Sequence, residues 1–262
     1  MKRKFPTSRL MVTMNEEGVA ENVAAVRKLG YPDISECKTA AKGHLAIVGG
    51  GPSINHRKAA LRSWKGDVWA VNHAALWCAR NDIPCALFTI DPAPGPYDPA
   101  LTANINWAIL ATRCHPNLFA LVKHACINTF ELATEDIWGG SASTAVVIAH
   151  RMGYTKFTFF GCEGNFQPGG KHHAYDEVEE KECVIQCNGE KFLTEPSYLF
   201  TSWTIAKMMH KFPQHIFERS GGLLSALVKD PDYELIGVSP AMAGPQTPQV
   251  FLDEYKEFVE AV

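Results

Sequence analysis

No apolar run in this 262-residue chain approaches the roughly 20 residues that a membrane-crossing helix requires. A basic excess is missing too. Lys and Arg number 25 against 28 Asp and Glu, a formal net charge of −3, which argues against a dedicated non-specific nucleic-acid binder. A local basic patch stays open. The dinucleotide fingerprint Gly-x-Gly-x-x-Gly lacks its third glycine, and no Gly-Lys-Ser/Thr of a Walker A loop occurs. Among the eight cysteines there is no Cys-x-x-Cys, so scattered reduced thiols are expected. The segment after Met1-Lys2-Arg3-Lys4 is Phe5-Pro6-Thr7-Ser8, not an apolar stretch, so no secretory signal is read there and a cytoplasmic location is expected. No internal repeat, low-complexity tract or charge block is present. An apolar fraction of 46% excludes a disordered chain.

What the sequence does contain is alternation. Short β-rich runs end in Gly, Asn or Asp and helical stretches follow. Strands are expected at His44–Val48, Asp67–Val71, Cys85–Ile90, Trp107–Thr112, Lys156–Phe160 and Gln214–Glu218. Helices are expected at Asn15–Leu29, Asn55–Trp64, Asn72–Ala79, Ala142–Met152, Pro196–His210, after Gly221-Gly222, and at Val250–Val262. Residues 115–138 give no readable pattern. Val184–Cys187 and Lys191–Thr194 flank Asn188-Gly189, a two-residue hairpin turn. The expected fold is one α/β domain over 1–262, a Rossmann-like, mainly parallel sheet with helices on both faces. It includes an N-terminal helix and connector over 1–43 and a lid and β-hairpin insertion over 164–194.

In open parallel sheets ligands bind beyond the carboxyl ends of the strands. Four segments fall there: Gly49–Ser53, Asn72-His73, Asp91-Pro92 and Gly161–Asn165. Gly49, Gly50, Gly51, Pro52 and Ser53 form a loop whose amides suit a phosphate, or else a tight strand-to-helix turn. Asn72 reads as a base or ribose ligand or as a helix cap. Asp91 reads as a general base, a Mg²⁺ ligand or a ribose ligand, or as the cap of a turn. Gly140, Ser141 and Ser143 open a second helix and offer another anion site, or pack it closely on the sheet. Glu163 and Asn165 reach towards the same crevice. His172 and His173, beyond Gly164, Gly169 and Gly170, read as acid–base groups on a lid or as part of a solvated loop. Zinc held by His172, His173, Cys183 and Cys187 is the alternative use of that stretch.

Two segments together resemble a known superfamily: Leu45-Ala-Ile-Val-Gly-Gly-Gly-Pro-Ser53 and Gly139-Gly-Ser-Ala-Ser-Thr through Gly153, the latter running into Phe157–Gly161. Ala70–Ala74 and Ile83–Pro92 lie between them in matching order. The pattern, over residues 43–176, is similar to the DUF115 or MptE-like Rossmann group. That group includes archaeal 6-hydroxymethyl-dihydropterin pyrophosphokinases and flagellin motility accessory factors. It also resembles bacterial sialyltransferases that use CMP-sialic acid, and the later Cys-Asn-Gly-Glu-Lys-Phe-Leu-Thr stretch looks like phage-encoded members. The resemblance implies a nucleotide in the Gly49–Ser53 loop with Asn72 near its base or ribose. Departures are equally specific. Where the sialyltransferases carry paired tyrosines this chain has Phe166 and His173. Their His-Ser has no counterpart around Lys191–Ser202, and Asp136 lies near where they place an Arg. The pterin enzymes' His-Gly-Asp-Asn is missing.

The expectation is therefore a nucleotide-dependent transferase moving a glycosyl or diphosphoryl group, with Mg²⁺ in the second case. Its partner is a small-molecule nucleotide and its acceptor is unassigned, a nucleic acid included. The alternative is a non-catalytic nucleotide-binding or assembly protein with the same fold. A dehydrogenase is disfavoured by the incomplete fingerprint.

Overall fold

A computed structural model describes residues 16–36, 43–93, 105–132, 140–166 and 183–238. In chain order the elements are α1 (Glu16–Arg27), β1 (His44–Val48), a 3-10 turn (Pro52–His56) running into α2 (Lys58–Arg62), β2 (Val68–Val71), α3 (Ala74–Arg80), β3 (Cys85–Thr89), β4 (Ile105–Ala111), α4 (Pro116–Leu121) and β5 (Cys126–Phe130). Then follow α5 (Ser141–Arg151), β6 (Lys156–Phe160), β7 (Cys183–Cys187), β8 (Glu190–Thr194), α6 (Pro196–Lys211), β9 (Ile216–Glu218), α7 (Gly222–Lys229) and β10 (Tyr233–Val238).

Seven strands form one sheet in the order β5-β4-β3-β2-β1-β6-β9, every neighbouring pair parallel. This is the expected α/β, Rossmann-like architecture. Helices cover the sheet, so its inner strands are apolar on both faces; Leu45, Ala46, Ile47 and Val48 are all fully buried. α5 packs across β1, β2 and β3, and α6 packs against α7, α5 and β9. Trp69 stacks on Phe88, and Phe88 on Phe130, each pair with centroids 5.5 Å apart, so aromatic area bridges β2, β3 and β5.

The hairpin has the expected turn. Asn188 (φ 50°) and Gly189 (φ 77°) both sit in the left-handed region, which matches the twist of the flanking strands. β10 adds to β7 to make a three-stranded antiparallel sheet, β10-β7-β8, that packs on α7. Cys183, Ile185, Cys187 and Phe192 are buried in the main apolar cluster. The tail helix expected at Val250–Val262 lies outside the described residues.

The helix expected over 55–64 is divided instead. Its first turn is tightened to 3-10 geometry, with the Ile54 amide donating to Gly51 O and the Arg57 amide to Ile54 O. Residues 115–138, unreadable in sequence, hold α4 and β5. The polar residues that obscured β5 are buried against partners far away in the chain. Trp107 Nε1 donates to Asn128 Oδ1 at 2.8 Å, and the Thr129 amide donates to Pro32 O at 2.9 Å.

α1 is fastened to the sheet by one buried amide. Asn22, 5% exposed, donates through Nδ2 to Pro92 O at 3.0 Å and to Arg113 O at 3.1 Å. These carbonyls lie just beyond the carboxyl ends of β3 and β4. Asn22→Leu leaves both carbonyls without this donor and is expected to destabilise the protein by about 1–3 kcal/mol. Urea unfolding should show a lower midpoint with an unchanged slope; an unchanged midpoint would mean that the bridge carries no stability.

Candidate functional site

The chain leaves the sheet centre from β1 towards β5 and then returns to β6 on the other flank of β1. The fork in strand order therefore lies between β1 and β6, where a parallel sheet opens a crevice at its carboxyl edge. Gly49–Ser53 leaves β1 there, and Gly161–Asn165 leaves β6.

The two loops touch. The Gly49 amide donates to Phe160 O and the Gly51 amide to Gly161 O, both at 2.8 Å. A Cβ on Gly49 would lie 2.5 Å from Gly161 O and 2.7 Å from Cys162 Sγ. A Cβ on Gly51 would run into the Glu163 carboxylate, and one on Gly161, at φ +65°, into Ile54. None of Gly49, Gly50 and Gly51 has a positive φ. Close approach of main chain and carboxylate, not backbone dihedral, is what Gly49 and Gly51 serve.

Glu163 fills the mouth of this fork. It is 2% exposed, and its Oε1 accepts from the Ser53 amide and its Oε2 from the Ser53 hydroxyl, each at 2.7 Å. The donors that sequence assigned to a phosphate are thus held by an internal carboxylate. Burial pushes the Glu163 pKa above the ordinary carboxylate value, only partly opposed by the hydrogen bonds from Ser53. Pro52 opens the 3-10 turn beside it.

Two other candidate residues serve helix ends. Asn165 Oδ1 accepts from the Leu223 amide at 2.9 Å, which fastens the start of α7 to the β6 loop. Ser143 is fully buried, and its hydroxyl bonds with the Gly140 amide and carbonyl at the start of α5. Ser141 is half-buried at the first position of that helix, next to buried Gly140. Thr144, one turn in and fully buried, has a hydroxyl with no hydrogen-bond partner among the described residues.

The neighbouring strands continue the line of polar groups. Asn72 ends β2 at φ 51°, with its amide donating to Phe88 O at 3.0 Å. Its side chain does not cap α3: Oδ1 is buried and has no partner among the described residues. Asp91 follows β3, and its Oδ1 accepts from the Ala93 amide at 3.0 Å, so it does hold the turn. Arg113 follows β4 and is 6% exposed, with Nε buried and without a hydrogen-bond partner among the described residues. The sequence reading missed Arg113. The one available signal was a charged residue two positions after an apolar strand run, Ala108–Ala111, in the position Asp91 occupies after β3.

Among the described residues no three His, Cys, Asp or Glu side chains gather to hold a metal ion. At Asp91 one carboxylate oxygen already accepts from the Ala93 amide, and the carboxylate lies close enough to Arg113 to favour its charged form. His172 and His173 lie outside the described residues. Of the zinc alternative, Cys183 and Cys187 are buried thiols whose pKa values burial pushes up to about 12 and about 11. Both thiols pack within the apolar cluster.

No helix among the described residues is long and apolar enough to cross a membrane. No protein-family model matches the chain, and no curated protein or solved structure matches it either.

The raised pKa of Glu163 has a sign that can be measured. A carboxyl of this kind keeps its proton in the folded chain at a pH where the unfolded chain has lost it. Its stability contribution is full below the unfolded value and is lost as pH rises through the folded one. Glu163→Gln keeps an acceptor for the Ser53 amide and removes the ionisation. The melting temperature of the variant minus that of the wild type should therefore increase as pH is raised from about 4.5 towards neutral. A difference that stays constant over that range would show Glu163 to be an ordinary carboxylate.

Proposed function

We propose that the chain binds a nucleotide along the carboxyl edge of its parallel sheet and transfers a glycosyl or diphosphoryl group from it. The observation that carries this reading is the row of groups at that edge. Ser53 after β1, Asn72 after β2, Asp91 after β3 and Arg113 after β4 come from adjacent parallel strands, beginning at the fork. Asn72 Oδ1 and Arg113 Nε are buried there without partners among the described residues, which a fold tolerates at a cost unless a ligand completes them. The likeness of Leu45–Ser53 and Gly139–Gly153 to the MptE-like group points in the same direction.

In this reading phosphate oxygens take the place of the Glu163 carboxylate on the Ser53 amide and hydroxyl, at the start of the turn after the Gly49–Ser53 loop. Burial disfavours the ionised form of Glu163, which eases the approach of a phosphate that a carboxylate would repel. Asn72 Oδ1 accepts from a base amino group or a ribose hydroxyl. Asp91 takes the acceptor's proton, and donors fixed in advance stabilise the leaving phosphate.

A second reading, a nucleotide-binding protein without turnover, is favoured by one feature. Glu163, Asn165 and Ser143 are engaged in holding the loops and helix starts together. The two readings separate on binding and turnover. Calorimetry with CMP, UDP, GDP, ATP and AMP, with and without Mg²⁺, should find one preferred nucleotide, whose affinity Gly50→Val abolishes in a folded protein. Undiminished affinity in that variant removes the loop from the site.

Asp91→Asn preserves the Asx turn with Ala93. Melting should barely move, while turnover of the nucleotide-linked donor falls by about 10²–10⁴-fold. Full turnover in Asp91→Asn excludes the base, and specific binding with no turnover by the wild type establishes the second reading.

A further inference from the structure

Arg113 is the least expected group at the sheet edge. A guanidinium keeps its charge at any ordinary pH, and burying it unpaired is costly. Yet Arg113 is 6% exposed, its Nε has no hydrogen-bond partner, and no ion pair engages it among the described residues. Burial lowers its pKa, and the Asp91 carboxylate acts against that from beyond salt-bridge range.

Its position is built. Asn22 joins Arg113 O to Pro92 O, and the Cys114 thiol donates to Thr89 O at 3.4 Å. The ends of β3 and β4 are thereby fastened together, with Asp91 on one and Arg113 on the other. Arg113 lies three strands from the Gly49–Ser53 loop, about 14 Å at the usual strand spacing. One phosphate group cannot serve both places.

We propose that Arg113 is a second anion-recognition residue. It would bind a carboxylate or phosphate group carried by the part of the substrate that lies farthest from the Gly49–Ser53 loop. This rests on the nucleotide reading for what occupies the loop, but not for the anion site itself. The fork of a guanidinium matches the two oxygens of a carboxylate or phosphate, and burial at 6% exposure strengthens the pair. Asp91 alongside weakens anion binding by repulsion while leaving a carboxylate next to the bound group. The substrate class that fits is therefore an anionic acceptor, or a donor whose transferred group is itself acidic.

The test uses inorganic phosphate and malonate as probes of the full chain, by calorimetry and thermal shift at constant ionic strength against chloride. At least one anion should bind and raise the melting temperature, and the preferred one identifies the class. Arg113→Lys keeps the charge and loses the fork, so affinity should fall roughly ten- to hundredfold. Asp91→Asn removes the repulsion, so affinity should rise several-fold; this arm stands even if the Arg113 variant does not fold. No anion binding by the wild type, equal affinity in Arg113→Lys, or no tightening in Asp91→Asn would each overturn the proposal. The two readings fail separately. A nucleotide that binds Arg113→Lys as tightly as wild type, with the anion response lost, keeps both. Anion binding that depends on Arg113 in a protein that binds no nucleotide rejects the nucleotide reading alone.

Discussion

The parallel pairing of β1 with β6 brings two loops into contact at the point where the strand order reverses. The whole carboxyl edge is arranged around that contact. Gly49 and Gly51 donate to the main chain of Phe160 and Gly161, and Glu163 closes the gap by taking both Ser53 donors. A side chain on Gly49, Gly51 or Gly161 would separate the loops. From this contact the second layer is fastened in turn. Glu163 O accepts from the Leu224 amide, Asn165 Oδ1 from the Leu223 amide and Ser220 Oγ from the Cys162 amide, so the β6 loop also fixes the start of α7.

The edge divides into a satisfied half and an unsatisfied half. Around β1 and β6 the donors and acceptors are matched within the protein, at the cost of burying a carboxyl whose pKa rises in consequence. Around β2 and β4, buried Asn72 Oδ1 and Arg113 Nε lack partners among the described residues. Folded chains pair their buried polar groups in the great majority of cases. The unpaired polar groups at this edge thus lie towards β2–β4, although the glycine-rich loop that drew attention in the sequence leaves β1.

Much of the architecture was legible. Apolar runs such as Leu45–Val48 and Phe157–Phe160, each ending in glycine, mark parallel strands because both faces of such strands are covered. Asn188-Gly189 announced its turn because few residues adopt left-handed dihedrals without strain. β5 was not legible, since Asn128 and Thr129 interrupt its apolar pattern and become acceptable only through Trp107 and Pro32, which are distant in sequence. β10 and the second sheet were hidden for a related reason: a strand added to a hairpin from some 40 residues away leaves no local period.

The candidate site divides along the same line. Local sequence determined that Ser53, Asn72, Asp91 and Glu163 would stand at strand ends, because each directly follows a strand or opens the turn after one. It also determined the α/β class, through the alternation of periods. What each side chain does there was decided by tertiary structure. Glu163 belongs to Ser53, Asn165 to α7 and Ser143 to the start of α5, while Arg113 is left buried beside Asp91. Such pairings depend on which strands become neighbours, and strand order is set by burial of the whole apolar core rather than by any segment of the chain.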